Sequence, residues 1–175
     1  MQYFQSLNVF YPLKVFQGVL IKNKNSVLVV YGRHPKEVYS NDVGRVLEDK
    51  KLENARVMQY KWAHRDFGKI LRETNSKWLL DLHSETPETQ KRFPPCEVEL
   101  KSPYLGTIGW GWKHDYDELM RGFFDKYYGR KEILSYGKHG TLMGAHEHWL
   151  GLGLLWYKPF EKSLQLVENL ANYLK

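Results

Sequence analysis

The stretch VLVVYGRHPKEVYSNDVGRVL, Val27 to Leu47, decides how the rest of the sequence is interpreted. It begins within an apolar strand pattern, Ser26–Tyr31, breaks at Gly32, and continues into apolar residues at helical spacing. A strand that is apolar on both faces is typical of an inner strand in a covered sheet. Between strand and helix lie an imidazole and a carboxylate three residues apart, those of His34 and Glu37.

Strand and helix patterns alternate beyond this stretch. Four segments have apolar residues at helical spacing: NDVGRVLEDKKL, RDFGKILRETN, DYDELMRGFFDKYYG and the C-terminal KPFEKSLQLVENLANYLK. A short buried strand, Trp78 to His83, is predicted within KWLLDLHS. Further strands are expected at Val15–Ile21, at Cys96–Leu100 in an otherwise loop-like proline-rich middle, and within TLMGAHEHWLGLGLLWY. The alternation predicts an α/β fold, a single domain over residues 1–175, with a mixed and mostly parallel sheet flanked by helices.

Composition restricts the partners and the compartment. Lys and Arg number 26 against 20 Asp and Glu, and this excess of +6 favours anionic partners. The basic residues form no block, which argues against a nucleic-acid-binding protein. Cys96 is the only cysteine, so an internal disulfide and a thiolate zinc cluster are excluded. No apolar run approaches the roughly 20 residues of a membrane span, and no secretory signal is visible, so we expect a cytoplasmic protein without membrane contact.

Two predicted strands end at segments that contain histidine, GRHPKE and DLHSE. If both are inner strands of one sheet, His34, Glu37 and His83 meet at the carboxyl edge, where ligands bind in open α/β sheets. Two imidazoles and one carboxylate are the ligands of one type of catalytic zinc site, which keeps a fourth position open. The sequence therefore predicts one zinc ion held by these side chains. Asp81 shares a strand face with His83 and is expected to act on the site electrostatically.

GRHPKE followed by DLHSE resembles the H-x-x-E…H signature of the zinc carboxypeptidase superfamily, nearest to its succinylglutamate desuccinylase/aspartoacylase branch. N-formylglutamate amidohydrolases, on a related fold, share the LDLHS segment and are a close second. The resemblance covers Val27 to Glu85 and implies a phosphorylase/hydrolase-like, zinc carboxypeptidase-like fold that hydrolyses an amide bond beside a carboxylate. Within it, HRDFGKIL resembles the stretch that supplies a substrate-binding arginine, here Arg65. Arg33, beside His34, is a second candidate for that role.

The sequence departs from this family at two places. Pro35 and Lys36 follow the histidine where the family usually has glycine. The late strand LGLGLLWY lacks the glutamate that serves the family as catalytic base. Glu147, in GAHEHW, is the preferred replacement, and the alternatives are Glu85, Glu97 and Glu99.

Two functions from different classes follow from these features. The preferred one is a zinc-dependent amidohydrolase or metallopeptidase that acts on a small molecule or peptide with a carboxylate. The alternative is a non-catalytic binding module on the same fold, which the missing acid in LGLGLLWY favours. Its excess of basic residues and its six tryptophans would then line a cleft for a nucleotide, a peptide or a nucleic acid. The sequence leaves the oligomeric state open.

Overall fold

The computed structural model describes residues 26–34, 36–60, 67–85, 105–111, 114–129, 135–139, 147–155 and 158–175. Its elements follow one another as β1 Val27–Tyr31, α1 Val38–Lys50, β2 Ala55–Gln59, α2 Phe67–Thr74, β3 Trp78–Glu85, β4 Gly106–Gly111, α3 Asp117–Tyr127, β5 Ser135–His139, β6 Trp149–Leu155 and α4 Phe160–Leu174. None of the helices in these ranges is long and apolar enough to cross a membrane.

The strands form one 6-stranded sheet in the order β2-β1-β3-β6-β4-β5. β2, β1, β3 and β6 run parallel to one another, β4 is antiparallel to β6, and β5 is parallel to β4. The fold is therefore α/β with a mixed, mostly parallel sheet, as the alternation of patterns predicted. Because β1 and β3 are parallel neighbours inside the sheet, their carboxyl ends lie at the same edge.

β1 is buried along its whole length, which explains why its sequence lacks polar alternation. Its residues alternate between two cores. Val29 belongs to the core that also contains side chains of α1, α3 and α4. Leu28 belongs to the second core, with Phe67 and Ile70 of α2. Each such side chain contributes about 1.5–3 kcal/mol when fully buried, so β1 is anchored from both sides.

Three strands, β2, β4 and β5, were not predicted from the sequence, and the reasons are identifiable. β2 is a short edge strand in which only Ala55 is buried, and β5 also forms an edge. β4 lies in GTIGWG, inside the region that the sequence predicts as mostly loop. Its Gly109 pairs with Gly151 of β6, and a Cβ on Gly151 would lie 3.0 Å from the Trp149 indole. Large indoles thus fill space left by glycines, which a glycine-based loop prediction cannot detect.

Two of the expected strands, Val15–Ile21 and Cys96–Leu100, lie outside the described residues. The helical spacing of KPFEKSLQLVENLANYLK corresponds to α4, where Leu166, Leu170 and Leu174 are buried. Tyr173 on the same helix is half-buried and packs its ring 5.6 Å from that of Phe123.

Helix α1 crosses β1 in close contact at Gly44. A Cβ on Gly44 would lie 2.2 Å from Cγ of Tyr31, well inside van der Waals contact. The Tyr31 hydroxyl also donates a hydrogen bond to Glu48 on the same helix. This contact sets the distance of α1 from the sheet, and therefore the position of Glu37 at its amino end.

Gly44→Ala is expected to lower the free energy of unfolding by about 3 kcal/mol, because the added methyl group forces α1 away from Tyr31. Urea unfolding followed by circular dichroism measures the change. Arg45→Ala is the matched control, since this neighbouring side chain is 63% exposed and its removal should change stability by less than about 0.5 kcal/mol. Equal stabilities of Gly44→Ala and the unchanged protein would contradict the contact.

Candidate metal centre

The three predicted ligands lie together at the carboxyl edge of the sheet. His34 follows β1, Glu37 directly precedes α1, and His83 lies within β3. One ligand atom from each side chain lies within 4.8 Å of the other two. The structure thus brings the early imidazole–carboxylate pair and the later imidazole to one point.

A short turn places His34 and Glu37 side by side. The Glu37 amide donates a hydrogen bond to the His34 carbonyl at 3.0 Å, and the Glu37 carbonyl accepts one from the Asn41 amide at 3.2 Å. Glu37 is therefore the N-cap residue of α1. The N-cap position thus places the Glu37 carboxylate at the amino end of α1, beside the end of β3.

Two hydrogen bonds tie the start of α1 to β3. Oε2 of Glu37 accepts from the Ser84 amide at 3.0 Å. Oγ of Ser84 in turn accepts from the Ser40 amide at 2.7 Å. Both serines are buried, so the orientation of Glu37 is fixed by the protein alone. The sequence reasoning missed these serines, and the only signal was the position of Ser84 directly after His83.

His83 is held between two carboxylates. Its Nδ1 lies 3.3 Å from Oε2 of Glu37, and its Nε2 lies 3.1 Å from Oδ2 of Asp81. Burial by itself would lower the pKa of His83, but the charges and hydrogen bonds of Asp81 and Glu37 outweigh it and raise the pKa to about 9. The expected electrostatic role of Asp81 takes the form of direct contact. A carboxylate on the far nitrogen is the usual support of a metal-binding histidine.

Arg33 and Asp81 form a buried ion pair beneath the three ligands. Nη1 of Arg33 lies 2.8 Å from Oδ2 of Asp81, and the two side chains are 6% and 0% exposed. The Arg33 guanidinium also lies over the ring of Phe67, 5.8 Å from its centroid. The structure therefore encloses Arg33 in the protein, which corrects the expectation that it contacts substrate. Removing one member of such a pair typically costs about 3–5 kcal/mol.

His34 has a different environment from His83. Its Nε2 lies 2.8 Å from Nη2 and 3.2 Å from Nε of Arg33. Burial lowers the pKa of His34, and the positive charges of Arg33 and His83 add to the effect, against an opposing contribution from Glu37. His34 is therefore a neutral imidazole at pH 7, which is the protonation state that can bind a metal.

The donor set fits a zinc ion. Bonds of about 2.1 Å in a tetrahedral site place neighbouring ligand atoms about 3.4 Å apart. Nδ1 of His83 and Oε2 of Glu37 are already 3.3 Å apart. The limit of 4.8 Å that encloses all three ligand atoms is wider than this, and rotation of the partly exposed His34 side chain can close it.

Glu147 lies at the opposite edge of the sheet. It precedes Trp149, which pairs with Leu79 in the parallel β3–β6 register, whereas His83 pairs with Gly153. Four residue steps of strand, roughly 13 Å at about 3.3 Å per residue, separate Trp149 from Gly153 at the level of His83, and Glu147 lies in the turn before Trp149. Its side chain is 71% exposed. This distance corrects the prediction that Glu147 is the catalytic base of a site at His83.

Four further site residues were predicted from the sequence: Arg65, Glu85, Glu97 and Glu99. Arg65, Glu97 and Glu99 lie outside the described residues. For Glu85, the structure describes the backbone, which ends β3 at the edge that carries His34, Glu37 and His83.

The comparisons with known proteins give no family and one distant structural likeness. No family model matches the sequence, and no curated protein matches it. Among solved structures, the chain is similar to the catalytic domain of CwlV, an N-acetylmuramoyl-L-alanine amidase from Bacillus (Paenibacillus) polymyxa var. colistinus. The identity is 9%, the TM-score is 0.47, and the match covers 84% of this chain and 94% of that one. At this similarity, the comparison assigns neither a family nor a reaction to this chain.

The metal-free protein is expected to lose stability as the pH rises from about 6.5, the ordinary histidine pKa, towards the His83 pKa of about 9. The raised pKa means that the protonated imidazole stabilises the fold. This contribution is fully present below the unfolded pKa and disappears as the pH passes the folded pKa, a loss of up to roughly 3 kcal/mol. Urea unfolding with a chelator across this range measures it. His83→Gln should remove the pH dependence, and a flat profile for the unchanged protein would refute the pairing.

Proposed function

We propose that this protein is a hydrolase that holds one zinc ion through His34, Glu37 and His83 and cleaves an amide or peptide bond beside a carboxylate. The observation that carries the proposal is the convergence of the three ligand atoms to within 4.8 Å at the carboxyl edge of β1 and β3. The resemblance of GRHPKE and DLHSE to the succinylglutamate desuccinylase/aspartoacylase branch supports the substrate class.

Zinc, when bound, supplies a Lewis acid that polarises a carbonyl and acidifies water. The residues of this chain supply orientation. The Ser84 amide fixes Oε2 of Glu37, and Asp81 fixes His83 through Nε2, so that Nδ1 faces Glu37. Because these contacts exist without the ion, little ordering of the Glu37 and His83 side chains remains to be done when it binds.

The net positive charge of the chain supports an anionic substrate. The net charge is +6, and such an excess raises the local concentration of small carboxylates. Arg65 is the proposed anchor, because arginine binds carboxylates with two parallel hydrogen bonds. Arg33 is excluded from that role, since its side chain is 6% exposed and engaged with Asp81.

Glu85 is the proposed general base in place of Glu147. Its backbone ends β3 just beyond His83, at the edge that carries the ligands. A general base must reach a proton directly or through one water, and a residue at this edge satisfies that requirement in position along the strand. Glu97 and Glu99 are the alternatives.

A binding module is the second candidate function, and the position of Glu147 favours it. A metal site whose expected base lies at the opposite edge would hold a ligand without cleaving it. The tryptophans of the described region give this candidate less support, because Trp78, Trp110 and Trp149 are 6%, 0% and 3% exposed and belong to the cores. A stacking surface for a nucleotide, peptide or nucleic acid would need tryptophans from elsewhere in the chain.

Protein purified without chelator is expected to contain about one zinc per chain, because two imidazoles and a carboxylate form a complete catalytic ligand set. Metal analysis by mass spectrometry should show loss of zinc in His34→Ala and His83→Ala. His114→Ala is the matched control, since this histidine stacks on Tyr116 with ring centroids 5.9 Å apart and is outside the cluster. Equal zinc in His83→Ala and the unchanged protein would disprove the site.

Activity measurements should show which edge of the sheet carries the general base. With N-acylated amino acids and short peptides as substrates, Glu85→Gln is expected to lower kcat by about 100-fold or more, the usual contribution of a general base. Zinc content should be unchanged. Glu147→Gln should retain activity within about twofold, because Glu147 precedes β6 at the edge of the sheet opposite to the ligands and its side chain is 71% exposed. A zinc-loaded protein that turns over none of these substrates would favour the binding module.

A further inference from the structure

The guanidinium of Arg33 contacts both imidazoles of the candidate metal centre. Nη2 lies 2.8 Å from Nε2 of His34 and 3.3 Å from Nε2 of His83, and Nε lies 3.2 Å from Nε2 of His34. Nη1 of the same group is held by Oδ2 of Asp81 at 2.8 Å. A permanently positive group is thus in direct hydrogen-bonding contact with His34 and close to His83, two residues that would bind a cation.

The chemistry of the imidazole makes this contact incompatible with metal binding. A guanidinium has only donors, so Nε2 of His34 must accept the hydrogen bond with a lone pair. A neutral imidazole has one such lone pair, and its other nitrogen carries the proton. A metal bound through Nε2 would have to displace Arg33. A metal bound through Nδ1 would move the proton to Nε2, where it would face the N–H groups of Arg33.

We propose that Arg33 competes with the metal for His34. Arg33 must release the lone pair of His34 before an ion can bind. This inference rests on the proposed function, because it assigns a regulator to the same site. Asp81 keeps hold of Nη1 when the contact with His34 opens, so the charged group has a partner in both arrangements. The apparent affinity for metal is then reduced by the fraction of molecules in which His34 is free.

The tautomer of His34 is the first test, and it needs neither metal nor a variant. Nitrogen-15 shifts of the metal-free protein should show His34 with a bare Nε2 and a protonated Nδ1. His34 protonated on Nε2, or on both nitrogens, would overturn the proposal, because Arg33 could not then donate to it.

Metal affinity is the second test, measured by competition for zinc with a chromophoric chelator. Arg33→Met should bind zinc at least about tenfold more tightly, the effect expected when a hydrogen bond from a charged group is lost. Lys36→Met is the matched control: it removes the same charge from an exposed side chain between His34 and Glu37, and should change affinity by less than about threefold. An affinity gain in Arg33→Met no larger than that in Lys36→Met would overturn the competition.

The comparison is repeated in an Asp81→Asn background. This change keeps a partner for Nε2 of His83, prevents a freed Asp81 carboxylate from binding the ion, and protects the Arg33→Met variant from an uncompensated buried charge. Arg33→Met/Asp81→Asn should again bind zinc more tightly than Asp81→Asn alone. Zinc bound equally by both proteins overturns the competition and leaves the proposed function intact, whereas zinc bound by none of the variants or the unchanged protein overturns both.

Discussion

The parallel pairing of β1 with β3 is the constraint on which the candidate site depends. Its register sets Val30 beside Asp81, so the residues that follow β1 meet those at the end of β3. Both strands are buried on both faces, and their hydrogen bonds to each other and to their outer neighbours fix the register without help from the ligands. Arg33 and His34 reach Asp81 and His83 as a consequence of this register. The three candidate ligands therefore come together when the sheet forms.

The buried pair of Arg33 and Asp81 gives the site its electrostatic character. Taking two charges out of water is costly, and their mutual attraction offsets this only with good geometry and additional hydrogen bonds. Here Oδ2 of Asp81 lies within hydrogen-bonding distance of both Nη1 of Arg33 and Nε2 of His83. The two histidines then differ: His83 faces two carboxylates, while His34 faces the cation. Two chemically identical side chains are thereby given opposite shifts in pKa.

The sequence was sufficient to predict the α/β fold and the meeting of His34, Glu37 and His83, because each lies where an apolar run ends and parallel strands end at one edge. It was insufficient for Arg33, whose role depends on which carboxylate its side chain reaches in three dimensions. The error at Glu147 has another cause. TLMGAHEHWLGLGLLWY is apolar over most of its length, so its pattern does not show that the strand starts only at Trp149. Glu147 therefore lies before β6, at the edge opposite to His83.

The reversal of direction at β4 has a consequence for how this fold can vary. Gly106 begins β4 opposite Leu154, and Glu85 ends β3 opposite Leu155. The chain therefore leaves β3 and enters β4 at the same edge, two strand positions apart, whereas a parallel crossover would have delivered it to the far edge. Whatever joins these two points is attached at both ends to the edge that carries His34, Glu37 and His83. A change in its length or composition would alter the surroundings of these side chains while every strand keeps its register, which separates variation at this edge from maintenance of the scaffold.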